Sequence, residues 1–122
     1  KRAALFIEGT NDTMVLAWWA GDVSSNLTVS NNTWTHFACT YSGGGRSTSN
    51  SALYKNAVAG TLGGGTSNAL DVNNMNWLHL GTDSVVTQEM AGDLGPIQIY
   101  NRALTKVEIG QNYNAHKSRF GL

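Results

Sequence analysis

A single cysteine, Cys39, stands in the whole chain, so no disulfide framework can staple it. Proline is almost missing too, with Pro96 alone, which leaves no Pro-rich linker or recognition segment. Charge is scarce: 13% of the residues are charged, and eight basic side chains offset eight acidic ones. A net charge of zero gives no field able to hold a polyanion, so nucleic acid is not an expected partner. No apolar run approaches the roughly 20 residues that cross a bilayer as a helix, and no membrane insertion is expected. The opening Lys1-Arg2-Ala3-Ala4-Leu5 is too short for a secretory signal.

What the chain does hold is turn chemistry. Fourteen glycines, many Asn, Ser and Thr, and 41% hydrophobic residues in a chain of 122 describe one turn-rich β domain over residues 1–122. Folding a chain of this mass leaves roughly a third of its extended surface exposed, enough burial for one core. The first residues read as mid-strand. Phe6-Ile7-Glu8 runs into the turn Gly9-Thr10-Asn11-Asp12 without an initiator Met, and preceding strands of the parent protein are expected to be absent.

Short β-type runs follow one another between turn residues. Residues 14–19 form one run and residues 27–29 another. The clearest strand covers 33–41, where the period of two puts Phe37, Cys39 and Tyr41 on one face and His36, Ala38 and Thr40 on the other. Phe37, Cys39 and Tyr41, with Ile97 and Ile99, are the expected core. His36 reads as a packed ring whose N–H is satisfied, and Trp34 and Tyr100 as packing anchors. Residues 42–51, with Gly43-Gly44-Gly45, read as a flexible loop, and Gly63-Gly64-Gly65 as a second one. Asn56-Ala57 between residues 52–55 and 58–62 reads as a hairpin turn, and residues 77–81 and 94–100 as the last two strands. One helix is expected, over about residues 105–115. Thr105 and Glu108 have capping-box spacing, Leu104 and Ile109 can staple the first turn, and Tyr113 lies one turn beyond Ile109.

Three segments carry a family likeness. Residues 32–41, Asn-Thr-Trp-Thr-His-Phe-Ala-Cys-Thr-Tyr, resemble the Trp-x-His strand of laminin-G-like, concanavalin A-like jelly rolls. Leu53-Tyr54-Lys55-Asn56-Ala57 is similar to the hairpin that follows it, with Ala57 where that family has glycine. Residues 92–105, with Ile97-Gln98-Ile99-Tyr100-Asn101-Arg102-Ala103-Leu104-Thr105, resemble the closing strand. The likeness covers about residues 26–122. It implies an all-β antiparallel jelly-roll sandwich with one short C-terminal helix, and one that lacks N-terminal strands, since such domains usually carry more strands before the Trp-x-His strand than the three candidates here. It also implies a context, because the closing segment resembles virion proteins of tailed phages and other large viruses, and secreted bacterial glycan-binding modules. A jelly roll short of strands leaves an open sheet edge, a template for pairing with another chain.

Enzyme chemistry finds no motif. Glycosidases of the concanavalin A type need paired acids about 5–5.5 Å apart, whereas Glu8, Glu89 and Glu108 stand far apart in sequence. The serines include no nucleophile elbow, and His36, His79 and His116 have no zinc spacing. No cofactor is expected apart from a possible calcium ion, for which Asp71, Asp83 and Asp93 are the candidates. Asp71-Val72-Asn73-Asn74 departs from the EF-hand pattern, and the other reading of these aspartates is turn formation. For a glycan, Trp19 and Trp77 offer aromatic faces, with Asn73, Asn74 and Asn76 as hydrogen-bonding amides beside Trp77. Arg102, Lys106, Lys117 and Arg119 gather half of the basic residues and are candidates for partner contact, although at Arg102 a structural salt bridge or carbonyl clamp is the first expectation. The expected role is a non-enzymatic structural, decorating or adhesion module of a virion that contacts other virion proteins or copies of itself. The alternative is an extracellular glycan-binding module of a secreted or cell-surface protein.

Overall fold

The computed structural model describes residues 4–9, 12–17, 21–69, 79–82 and 89–122. These form eight strands in two antiparallel sheets and one helix. Strands β1 (Ala4–Glu8), β2 (Thr13–Ala17) and β3 (Val23–Thr28) make a meander in which Leu5 lies opposite Leu16 and Leu16 opposite Val23. Directly opposed side chains share a face, so one apolar row crosses all three strands. The β2–β3 register shifts between Thr13 and Val15. Buried Ser25 occupies that irregularity, donating to the carbonyl of Met14 at 2.7 Å and accepting from the N–H of Leu27 at 3.2 Å. A hydroxyl there satisfies backbone groups that the ladder leaves over.

The second sheet consists of β4 (Phe37–Tyr41), β6 (Ser51–Lys55) and β7 (Val58–Ala59), with β6 in the middle. Strand β5 (Gly45–Ser47) and strand β8 (Leu62–Ala69) complete the first sheet, in the order β1-β2-β3-β8-β5. The sheets meet through Leu53 of β6, which is fully buried against Leu16 and Val23, with Leu5, Leu27, Tyr41 and Leu62 packed around them. Full burial of such a side chain contributes about 1.5–3 kcal/mol. Polar ties join the layers at one end: the Lys55 ammonium donates to the carbonyl of Thr28 at 2.6 Å, and the Thr61 N–H donates to Asn26 Oδ1 at 2.8 Å.

Several expectations are corrected. Both glycine-rich loops contain strand. Gly45 opens β5, and Gly63-Gly64-Gly65 lie within β8, where Gly64 pairs with Val23 and Gly65 with Ser47. Gly64 and Gly65 have φ of +78° and +97°. A Cβ on Gly64 would lie 2.5 Å from the carbonyl oxygen of Asp22, and one on Gly65 2.7 Å from that of Arg46. These glycines permit close strand approach instead of flexibility.

The expected core is also partly wrong. Phe37 and Cys39 are exposed, although Cys39 lies opposite fully buried Leu53. The face is the inward one, but β4 is an edge strand among the described residues, so solvent reaches its side chains from the flank. Protein around Cys39 nevertheless dehydrates its thiol and pushes its pKa up to about 11. Tyr41, on the same face, does pack on the core. Residues 94–100 form no strand among the described residues, and Ile97 and Ile99 are 48% and 71% exposed. Of the strand expected at 77–81, residues 77 and 78 lie outside the described residues and 79–81 are not in strand. Helix α1 (Lys106–Phe120) outruns the expected end near residue 115, because nothing in 115–120 breaks it before Gly121 takes the left-handed conformation at φ 69°.

The hairpin between β6 and β7 forms as expected, yet its turn keeps both central residues at positive φ, Asn56 at 49° and Ala57 at 65°. An L-residue with a Cβ is strained there, and replacing it with glycine removes that strain. Ala57→Gly is expected to stabilise the protein by about 1 kcal/mol, read as a raised urea midpoint with an unchanged m-value.

Candidate functional site

The candidate surface is built around α1 and the two segments that lie against it, residues 33–36 and 94–105. The helix begins at a complete capping box. The Thr105 hydroxyl accepts from the Glu108 N–H at 3.3 Å, and Glu108 Oε2 accepts from the Thr105 N–H at 2.8 Å. The same carboxylate receives the Arg102 guanidinium as a fork, Nη1 at 2.9 Å and Nη2 at 2.5 Å. The guanidinium, followed by the backbone and hydroxyl of Thr105, lowers the Glu108 carboxyl to about 2. Arg102 is itself held more firmly protonated by Glu108. This cluster sets the direction in which residues 94–104 enter the helix.

Spacing of three and four residues along α1 brings Ile109, Tyr113, His116 and Phe120 onto one side of the helix. Ile109 is buried. Phe120 packs on Trp34 with ring centroids 4.6 Å apart and the rings tilted by 51°, and a Cβ on Gly95 would lie 3.2 Å from the Phe120 ring. Tyr113 meets the ring of His36 at 5.6 Å, and the Tyr100 hydroxyl accepts from Asn112 Nδ2 at 3.1 Å. Trp34 and Tyr100, expected as packing anchors, make these contacts but are 40% and 45% exposed, so neither is a buried anchor. His36 is packed, as expected, and its Nδ1 is buried with no hydrogen-bond partner among the described residues.

Beside the helix, Leu94, Ile97, Ile99, Tyr100 and Val107 leave an apolar surface exposed. Arg102, Lys106, Lys117 and Arg119, expected to gather for partner contact, are spread along this element. Arg102 engages Glu108, Lys106 is exposed in the first turn, the Lys117 ammonium lies 5.7 Å from the centroid of the Tyr113 ring, and the Arg119 guanidinium 5.5 Å from that of Phe120. Of the calcium candidates, Asp93 is exposed, while Asp71 and Asp83 lie outside the described residues. The glycan candidates Trp19, Asn73, Asn74, Asn76 and Trp77 lie outside them as well. Among the described residues, no group of three or more His, Cys, Asp or Glu side chains is placed to hold a metal ion, and no helix is long and apolar enough to cross a membrane. Sequence reasoning found the capping box but missed the pairing of Trp34 with Phe120, because nothing local links residues so distant in the chain.

With this geometry in view, comparison places the chain. A family model described as the Concanavalin A-like lectin/glucanases superfamily, of laminin-G type, matches residues 2–110. The protein belongs to that superfamily, and its two antiparallel sheets are those of a concanavalin A-like sandwich. No curated protein matches it. Among solved structures it is similar to an S-layer domain-containing protein from Clostridium thermocellum, at a TM-score of 0.56 and 15% sequence identity. The alignment covers 92% of this chain and 62% of that one. At this identity the likeness is one of fold.

The cap supplies two measurable consequences. A carboxyl whose folded pKa lies below its ordinary 4.5 stabilises the fold fully above that pH, and the contribution is lost as pH falls toward 2. An NMR titration is expected to place the Glu108 midpoint near 2 and, in Arg102→Ala, to move it up toward 4.5. Thr105→Ala, which removes the acceptor for the Glu108 N–H, is expected to cost about 0.5–2 kcal/mol, read as a lowered denaturation midpoint.

Proposed function

We propose that this sandwich is a non-enzymatic decorating or adhesion module on the outside of a larger assembly, of the virion kind, and that it binds protein: neighbouring components or copies of itself. The observation that carries this reading is the apolar surface of Leu94, Ile97, Ile99, Tyr100 and Val107 beside α1. Five large apolar side chains exposed within residues 94–107 are the kind of surface that marks protein contact sites. Glu108, the acid beside Val107 in the chain, is committed to Thr105 and Arg102 and has no freedom to protonate a leaving group near neutral pH. The S-layer domain named in the similar structure supports a place on a cell or particle surface. The superfamily name, which covers lectins and glucanases, favours a second reading, glycan binding through Trp19 or through Trp77 with Asn73, Asn74 and Asn76.

Light scattering over a concentration series tests the first reading. The wild type is expected to self-associate, and Ile99→Glu combined with Val107→Glu to reduce that association while leaving the far-UV spectrum unchanged. A strictly monomeric wild type that binds a glycan panel, with binding lost in Trp77→Ala, would replace it with the lectin reading. Hydrolysis of a polysaccharide that a single carboxylate substitution abolishes would overturn the non-enzymatic assignment.

A further inference from the structure

We propose that the contact between His36 and Tyr113 is an acid-sensitive latch, which holds α1 on the sandwich at neutral pH and lets its C-terminal half detach when His36 takes up a proton. The ring of His36 is held in place by its own backbone. Its N–H donates to Asn56 Oδ1 at 3.0 Å, and its carbonyl accepts from the Asn56 N–H at 2.7 Å. So anchored in the segment leading into β4, the ring lies against Tyr113 with its Nδ1 buried and unpartnered. A neutral imidazole can leave a nitrogen bare at modest cost. An imidazolium would need an acceptor there and has none among the described residues.

Among the described residues, the surroundings offer the proton no counter-charge. On α1 the groups nearby are Tyr113, His116 and Lys117, and no Asp or Glu follows Glu108 in the chain. Strand β6 presents Tyr54 opposite Ala38 and Lys55 opposite Phe37, the Lys55 ammonium being bound to the carbonyl of Thr28. Attraction of an imidazolium to the face of Tyr113 does not rescue it, because the Lys117 ammonium already lies near that ring. Burial first, and repulsion from His116 second, hold the His36 pKa below its ordinary 6.5. A folded pKa lowered for a base means that the detached state binds the proton more readily. Docking is therefore complete above about pH 6.5 and weakens as pH falls through and below that value. The Glu108 cap, which titrates near 2, stays intact through this window and keeps the first turn attached.

The test follows the His36 ring by NMR from about pH 7.5 to 5, and amide exchange at residues 113–120 over the same range. The His36 midpoint is expected below 6.5, with exchange, corrected for its intrinsic pH dependence, accelerating through it. The acceleration should reach roughly tenfold for each unit separating docked and free pKa values. His36→Phe keeps a ring on Tyr113 and is expected to abolish the acceleration. His116→Gln, at the partly exposed side of the contact, is expected to raise the His36 midpoint and shrink the effect. Protection at 113–120 that is indifferent to the His36 titration, or acceleration that is unchanged in His116→Gln or persists in His36→Phe, would overturn the latch.

Discussion

The whole arrangement depends on how closely β8 can run to its neighbours. This strand joins the β1–β3 meander to β5, and it starts directly after the β6–β7 hairpin of the other sheet. The carbonyl of Asp22 accepts from the Gly65 N–H at 2.9 Å, while a Cβ on adjacent Gly64 would collide with that same oxygen. Gly45, across on β5, is crowded in the same way by the backbone of Ser67. A side chain at these points would force β8 outward. Leu62, which lies opposite Ser25, would leave the cluster with Leu53, and the two sheets would lose the packing that makes them one body.

Much of this was legible, and the failures have physical reasons. The β1–β2 hairpin follows from two short runs with Gly9, Asn11 and Asp12 between them, the β6–β7 hairpin from runs flanking Asn56-Ala57, and the capping box from two residues at fixed spacing. Glycine runs mislead, since composition cannot distinguish freedom from close contact; only the partner strand shows which applies. The inward face of β4 was also legible, but burial was not. Alternation reports which way Cys39 points, opposite Leu53, whereas its exposure depends on the lack of a described strand on its other side. Residues 94–100 alternate like a strand and remain unpaired among the described residues, because a ladder needs a partner that no single segment encodes.

The candidate surface follows the same division. Thr105 and Glu108 announce themselves locally, and Arg102 joins them because a guanidinium six residues before an exposed carboxylate reaches it once the helix turns. The inner side of α1 is different. Tyr113 and Phe120 gain their meaning from His36 and Trp34, and the cationic residues between them gain theirs from the rings beneath. One short helix thus presents a fixed polar cap at its start and an aromatic, cation-rich face at its end, with the apolar residues 94–107 alongside.

The Trp34–Phe120 contact has a kinetic side. The two rings lie 86 positions apart in the chain, from 34 to 120, and bringing such distant points together costs chain entropy that local hairpins do not. Folding slows as the share of such sequence-distant contacts grows. The aromatic end of α1 therefore adds to the search that the chain must complete, whereas the capping box at the other end of the same helix closes over three residues.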